Sequence, residues 1–588
     1  MGAQISDGLR LPIGEASSVV RRYPTLLTED PERRAQLMRG AVVGGSGAVN
    51  GGYFCRGLPS DFDSWGLAGW TWDDVLPHFR AIETDLDFDN LIHGSDGPIM
   101  VRRVAEFDGC TASFVGAVTD AGHDWISDLN GATPDAPLSP GIGAVPLNIN
   151  GGTRVGPGGA YLQPVMDRAN LTLLTSTRVR RVRIVAGRAV GVACAGPDGA
   201  VDLTADRIVL CCGAIGSAHV LMLSGVGPYD VLVSADIPVT VDLPVGAAFI
   251  DHPEWVLPVN WSASHGLPPL EAVLTTADGL EIRPYTAGFG AMIRGRHDDP
   301  ADRPHIGVAL MQPKSRGRIT VMSGDAEASP VIEHRYDSEP DDIARLRAGS
   351  ELARELAGLT AEVGETSWST SQHLSGTAPM GADDDPAAVV DPQCQVHGID
   401  GLWVVDGSVL PMITSRGPHA TIVMVGHRAA EAQVVLTAVG AYQLGHALRA
   451  SVRLTERGVA HAVNYMLEPG RFRAPRGSRE AAHVAPEAVR DRLYPSSTPA
   501  RVFLTHTRPE ALLGAIHPLC TGPLTVGLGF TNHGGTLDTS GMLFANRVTW
   551  AHALEAVARL LAIDRAALLA DAERAALDGR ASPQGVLI

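Results

Sequence analysis

The chain has 588 residues, enough for two to four structural units with sizeable cores. With 45% hydrophobic and 19% charged residues it is no disordered polymer, and a formal net charge of −18 argues against a nucleic-acid partner. Seven scattered cysteines, odd in number and without a C-x-x-C pair, point to a reduced compartment. Residues 1–30 show no secretory pattern and no apolar run is long enough to span a bilayer. The expected location is the cytosol, with peripheral membrane contact still compatible.

In chain order, the opening segment reads as polar and irregular, with helical tendency over Pro31–Met38. A glycine-crowded stretch, "RGAVVGGSGAVNGGYFCRG", runs from Arg39 to Gly57. Val75, Leu76, Phe79 and Ile82 then fall at helical spacing within Asp73–Glu83. Residues 105–160 read as turn-rich, and 170–212 as three or four strands separated by turn dipeptides. The apolar run Ile208–Cys212 predicts a buried strand, broken at Gly213 and resumed as a helix. A lobe of mixed strands follows, closing with a helix from Asp341 to Leu356. "GLWVVDGSVLP" predicts a strand, and "HATIVMVGHRAAEAQVVLTA" a long buried helix. Beyond about residue 440 comes a loop-rich tract, a strand in "ARVFLTH" and a helix in "TWAHALEAVARLLA". The fold class is mixed α/β.

Glycines at this density serve backbone that turns sharply or lets another group press close. Gly45, Gly47 and Asn50 nearly fit G-x-G-x-x-G, but "NGGYFCRGLP" is a poor helix start, so this is not the first turn of a nucleotide-binding βαβ unit. Gly44-Gly45-Ser46-Gly47-Ala48 also fails the nucleophile-elbow pattern at its last position. Close approach of main-chain N–H groups to an anion remains a physical reason for the glycines, beside a purely structural tight loop.

The stretch continues as "LPSDFDSWG", "GWTWDDVLPHFRAIE" and "HGSDGPIMVRR". Later come "NLTLLTSTRVRRVRIVAGRAVGV", "VLCCGAIGSAHVLMLSGVGP", "PKSRGRITV", "SPVIEHRY", "QHLSGTAPMG" and "VHGIDGLWVVDGSVLPMITS" through "HATIVMVGHRAAE". This ordered set, over roughly residues 10–435, resembles the glucose–methanol–choline (GMC) oxidoreductase family. The resemblance implies FAD and oxidation of the CH–OH group of an alcohol by hydride transfer to the flavin. It further suggests the subgroup associated with mycofactocin, a peptide-derived redox cofactor, so the expected electron acceptor is mycofactocin or a quinone. It also implies a layout. Residues 1–228 form the FAD-binding region, 229–370 the substrate lobe, 371–437 the return to the flavin, and 438–588 an α/β extension of unassigned role. The family's opening βαβ unit, which holds the ADP half of FAD, has no counterpart ahead of Arg39. A truncated homologue with weak or no FAD binding, serving as a scaffold, is the alternative expectation.

Alcohol oxidation needs a base that takes the hydroxyl proton, and histidine suits that task near neutral pH. His373 lies in "SQHLSGTAPMG" and His419 in "RGPHATIVMVG", where it opens an apolar helix whose N-terminus offers unpaired N–H groups and a positive dipole end. The resemblance implies His373 as the base and His419 as its hydrogen-bonding partner. By the same route Gly44, Gly45, Ser46, Asn50 and Gly51 would contact FAD, with Val179 near the adenine and Asp406 and Gly407 beside the ribityl–pyrophosphate region. Asp406 reads equally well as a turn former. Val49 stands where some relatives carry a flavin-linking histidine, so FAD should be noncovalent. Gly47 replaces a usual serine, and Ala218 a common proline. His533-Gly534-Gly535 could be a ligand loop or an ordinary turn, and no metal-ligand spacing is evident.

Overall fold

The computed structural model describes residues 6–264, 266–294, 302–359, 366–430, 433–457, 459–495, 498, 500–531 and 538–583. It divides into two units, Met1–Arg428 and Ala429–Ile588.

The N-terminal unit opens with a correction. Val20–Glu29 and Glu32–Gly40 form an antiparallel hairpin, so the segment Pro31–Met38 is turn and strand rather than helix. The residues "ERRAQLMR" are good helix formers, but pairing overrides propensity. Tyr23 and Leu37 face each other across the ladder, both buried in the core of the unit. The first strand is also anchored in parallel on Val331–Glu333.

Arg178–Val185, Arg188–Gly196 and Gly199–Thr204 make the expected meander. The short strand Ile208–Leu210 pairs in parallel with Leu402–Val404. This pairing brings the two strand ends, and the turns at Gly213 and Asp406, side by side.

A seven-stranded sheet runs in the order Ser367–Thr370, Pro253–Pro258, His305–Leu310, Leu280–Pro284, Ala272–Thr275, Gly141–Ala144, Trp125–Ile126. Two of its strands therefore come from residues 125–144, outside the segment read as the substrate lobe. Helices Gly109–Asp120 and Pro340–Leu356 pack with it, burying Phe114, Val118, Leu346 and Ala353. The first of these helices lies in the stretch read as turns. Its buried Cys110, Phe114 and Val118 recur every four residues, a signal diluted by Gly109 and Gly116.

The C-terminal unit is a parallel four-stranded sheet in the order His461–Tyr465, Val434–Val439, Ala500–Thr505, Thr525–Leu528. Ala441–Glu456 and Trp550–Leu560 supply Ala447, Leu454, Leu554 and Val557 to one core, while Phe503, Leu512 and Ile516 form another. The long helix read over residues 419–438 is thus two elements. Helix His419–Ala430 ends, and the fully buried "VVLTAV" is a strand, as its β-branched residues favour. His533-Gly534-Gly535 lies outside the described residues. Among the described residues no helix is long and apolar enough to cross a membrane.

Candidate active site

The glycine stretch folds into a tight turn, Gly45–Ala48, entered through Gly44 (φ 93°) and Gly45 (φ 56°). Both angles lie in the left-handed region that glycine adopts without strain. No heavy atom lies within 4 Å of where a Cβ on Gly45 would stand, so the turn has an open side. Gly47 is the opposite case. A Cβ there would meet His419 Cε1 at 2.6 Å and Pro157 at 2.9 Å, which explains why the chain carries no side chain at this position. The glycine turn and the first residue of helix His419–Ala430 are therefore in contact. Phe54 fixes the histidine ring from another direction, edge to face at 5.5 Å. Arg154 ties the turn down by donating to the Ala48 carbonyl (3.2 Å).

The His419 Nε2 atom is buried and has no hydrogen-bond partner. Burial, helped by the nearby Arg154 charge, pulls its pKa down to about 4, so the ring is neutral near pH 7. An unpartnered polar atom of this kind, beside an open glycine turn, fits a planar polar group such as a flavin.

His373 lies against Gly417, where a Cβ would stand 3.0 Å from the Tyr53 ring and 3.2 Å from His373 Cε1. Here the structure corrects the sequence reading. The ring partner of His373 is His252, not His419: the two Nδ1 atoms are 2.9 Å apart and the rings perpendicular. Burial, reinforced by His252 and the Arg283 charge, holds the His373 pKa well below the usual histidine value.

Asp251 organises this side. Its Oδ1 accepts from the main-chain N–H of both His252 and His373, each at 2.8 Å. Its Oδ2 meets the Thr370 hydroxyl (2.7 Å), the Tyr336 hydroxyl (3.0 Å) and His334 Nε2 (3.0 Å). Burial alone would raise the Asp251 pKa, but His334 and Thr370 outweigh it and hold the carboxylate ionised.

The residue before His373 is Gln372, at φ 63°, a costly angle for a residue with a side chain. Its Oε1 accepts from Met38 N–H (3.0 Å) and Arg39 Nη1 (2.8 Å), both on the hairpin. Ser371 completes the clamp, donating to Glu254 (3.0 Å) and accepting from Arg283 (2.8 Å).

The remaining sequence candidates divide. Gly44, Gly45 and Ser46 form the turn, with the Ser46 hydroxyl accepting from Gly40 N–H at 3.1 Å. Asn50 Oδ1 accepts from Gly52 N–H (3.0 Å) within its own turn around Gly51. Asp406 accepts from the Ser408 N–H (2.8 Å), from the Gly213 N–H beyond the paired strand (2.8 Å) and from the Ser217 hydroxyl (2.6 Å). The turn-former reading of Asp406 therefore has direct support. Val179 lies in the three-stranded meander, opposite Cys194, on a strand that packs against the helix beginning at Gly213. Asp251, His252, Tyr53 and Gln372 were missed. The one signal for them was an acid–histidine–proline run, Asp251-His252-Pro253, in an otherwise apolar segment.

Two family models for GMC oxidoreductases match the chain, the N-terminal one over residues 14–254 and the C-terminal one over 313–426. An uncharacterized GMC-type oxidoreductase encoded in the thcA 5′ region of Rhodococcus erythropolis is 41% identical over 446 residues, 72% of this chain and 88% of that protein. The chain belongs to the GMC oxidoreductase family. An oxygen-dependent choline dehydrogenase of Rhizobium etli is 31% identical over 494 residues, covering 73% of this chain and 89% of that protein. Among solved structures, pyridoxine 4-oxidase from Mesorbium loti superposes with a TM-score of 0.66 at 26% identity, over 73% of this chain and 91% of its own. As a GMC oxidoreductase the protein is a flavin-dependent redox enzyme.

Proposed function

We propose that this GMC oxidoreductase oxidises the CH–OH group of a small-molecule alcohol, with His373 as the base and His419 beside the reacting centre. The observation that carries the reading is the contact of His419 with the glycine turn, together with the contact of His373 with Gly417, two residues before His419. Noncovalent FAD would be held by Gly44, Gly45, Ser46, Asn50 and Gly51, with Val179, Asp406 and Gly407 at its distal parts. When bound, FAD supplies the hydride acceptor.

The neutral imidazole of His373 accepts the hydroxyl proton as the carbon is oxidised to a carbonyl. Its ring is oriented by His252, and its main chain is fixed by Asp251, so little reorganisation is left for the reaction itself. His419 keeps water from the turn and directs a neutral ring nitrogen toward the charge that develops, at the positive end of its helix. The choline and pyridoxine activities named for its relatives support a small polar alcohol as the substrate class. The acceptor we assign is mycofactocin or a quinone, in the cytosol or at the membrane surface.

The test is anaerobic mixing of the flavin-loaded protein with a panel of alcohols while the flavin absorbance is followed. Bleaching by an alcohol supports the proposal. A protein that takes up no flavin, or flavin that no alcohol bleaches, refutes it and favours the scaffold reading.

A further inference from the structure

Two Nδ1 atoms 2.9 Å apart cannot both carry a proton when the rings are neutral, and they cannot both lack one and still bond. One arrangement must hold. If His373 donates from Nδ1, its Nε2 is a bare lone pair and His252 carries its proton on Nε2. If His252 donates, His373 Nε2 is already protonated and cannot serve as a base.

The role of His373 chooses between them. A base that takes the substrate proton at Nε2 must hold its own proton on Nδ1, so His373 Nδ1–H is the donor and His252 Nδ1 the acceptor. His252 is fully buried, and its Nε2 has no hydrogen-bond partner.

The main chain reinforces this. Both amides are tied to the single Oδ1 of Asp251, so neither ring can drift from the other without breaking a hydrogen bond. Around the pair stand Asp251, Arg283 and Glu281 as the charged groups acting on His252, and Asp251, Arg283 and Arg39 on His373.

We infer that His252 is a positioning residue that fixes the tautomer of His373, leaving Nε2 unprotonated and turned away from the pair as the atom that receives the substrate proton. This rests on His373 being the base. His252 does not touch substrate. It acts only through the neighbouring ring.

The inference is tested on the unmutated protein by nitrogen NMR of ring-labelled histidine, with His373 assigned from its loss in His373→Ala. The expected pattern is a protonated Nδ1 and a bare Nε2 on His373. The reverse pattern overturns the inference, whatever the activity. In parallel, His252→Asn retains an acceptor oxygen near the Nδ1 position, whereas His252→Ala removes it. His252→Ala should slow flavin reduction by about 10- to 100-fold, in the range of other orienting partners, and His252→Asn should recover most of it. Equal rates for both variants and the unmutated protein overturn the inference while leaving the base intact. Unimpaired reduction in His373→Ala would instead remove the base assignment on which it stands.

Discussion

Two buried histidine clusters in the N-terminal unit put the same side chain to opposite uses. In the first, His93 lies between carboxylates: Glu83 Oε1 at 3.1 Å, Asp85 Oδ2 at 3.0 Å and Asp128 Oδ2 at 2.8 Å. Arg56 pairs with Glu83, and Arg103 bridges Asp85 (2.9 Å) and Asp128 (2.8 Å). Three carboxylates thus meet two guanidiniums and one imidazole, and their charges cancel only if the imidazole is protonated. Burial would lower the His93 pKa, but Asp128, Asp85 and Glu83 outweigh it and raise it to about 10. In the second cluster, the carboxylate of Asp251 is spent on main-chain amides and on His334, Tyr336 and Thr370, so His252 and His373 meet each other instead. Burial then keeps both rings neutral. What decides whether a buried histidine is already charged at neutral pH is where the nearby carboxylate oxygens point, not how deeply it is buried. The first cluster is a cross-link and the second a reactive pair.

The largest effect is expected at His373. His373→Ala should slow alcohol-driven flavin reduction by about 10²- to 10⁴-fold with flavin content unchanged, as spectra and stopped-flow traces would record. Loss of flavin with full turnover per bound flavin would contradict the assigned role. At His93 the expected damage is to folding. His93→Gln leaves buried carboxylates uncompensated and should cost about 3–5 kcal/mol in urea denaturation, with the reduction rate per folded molecule unchanged. A smaller effect is expected where the glycine turn meets His419. Gly47→Ala places a methyl group against the ring and should cost about 1–3 kcal/mol, read as weaker FAD retention in a titration.

The mildest test is pH. His419 and His252 have folded values of about 4, below the unfolded value of about 6.5, so their contribution to stability is complete above that value and lost as the pH falls toward 4. His93 runs the other way: its contribution is complete below about 6.5 and is lost as the pH rises through about 10. The melting temperature should therefore decline on both sides of neutrality. His93→Gln should flatten the alkaline side alone.

What could be read in advance follows from how local the information is. The glycine turn, the Asp73–Glu83 helix and the helix after Gly213 are written within a few neighbouring residues, and they stand as expected. The strand before Gly213 is shorter than the apolar run suggested, Ile208–Leu210, and Val209, Cys211 and Cys212 are exposed rather than buried. The hairpin was hidden because Glu32–Met38 is composed of helix formers whose strand state depends on pairing with Val20–Glu29 and, through it, with Val331–Glu333. His373 was legible and its partner was not. His252 is 121 positions away, and nothing around either residue reports which ring it will meet. Assigning His419 as that partner failed for the same reason: it stands against Gly47, and its Nε2 has no hydrogen-bond partner.

The kink at Gln372 carries one more consequence. It is latched by Met38 and Arg39, which precede it by 334 and 333 positions. During synthesis the hairpin emerges early and must wait for hundreds of residues before the segment it clasps leaves the ribosome. Competence for proton transfer is thus acquired at a late stage of chain collapse, and a nascent fragment ending before residue 373 would hold the glycine turn without the base it serves.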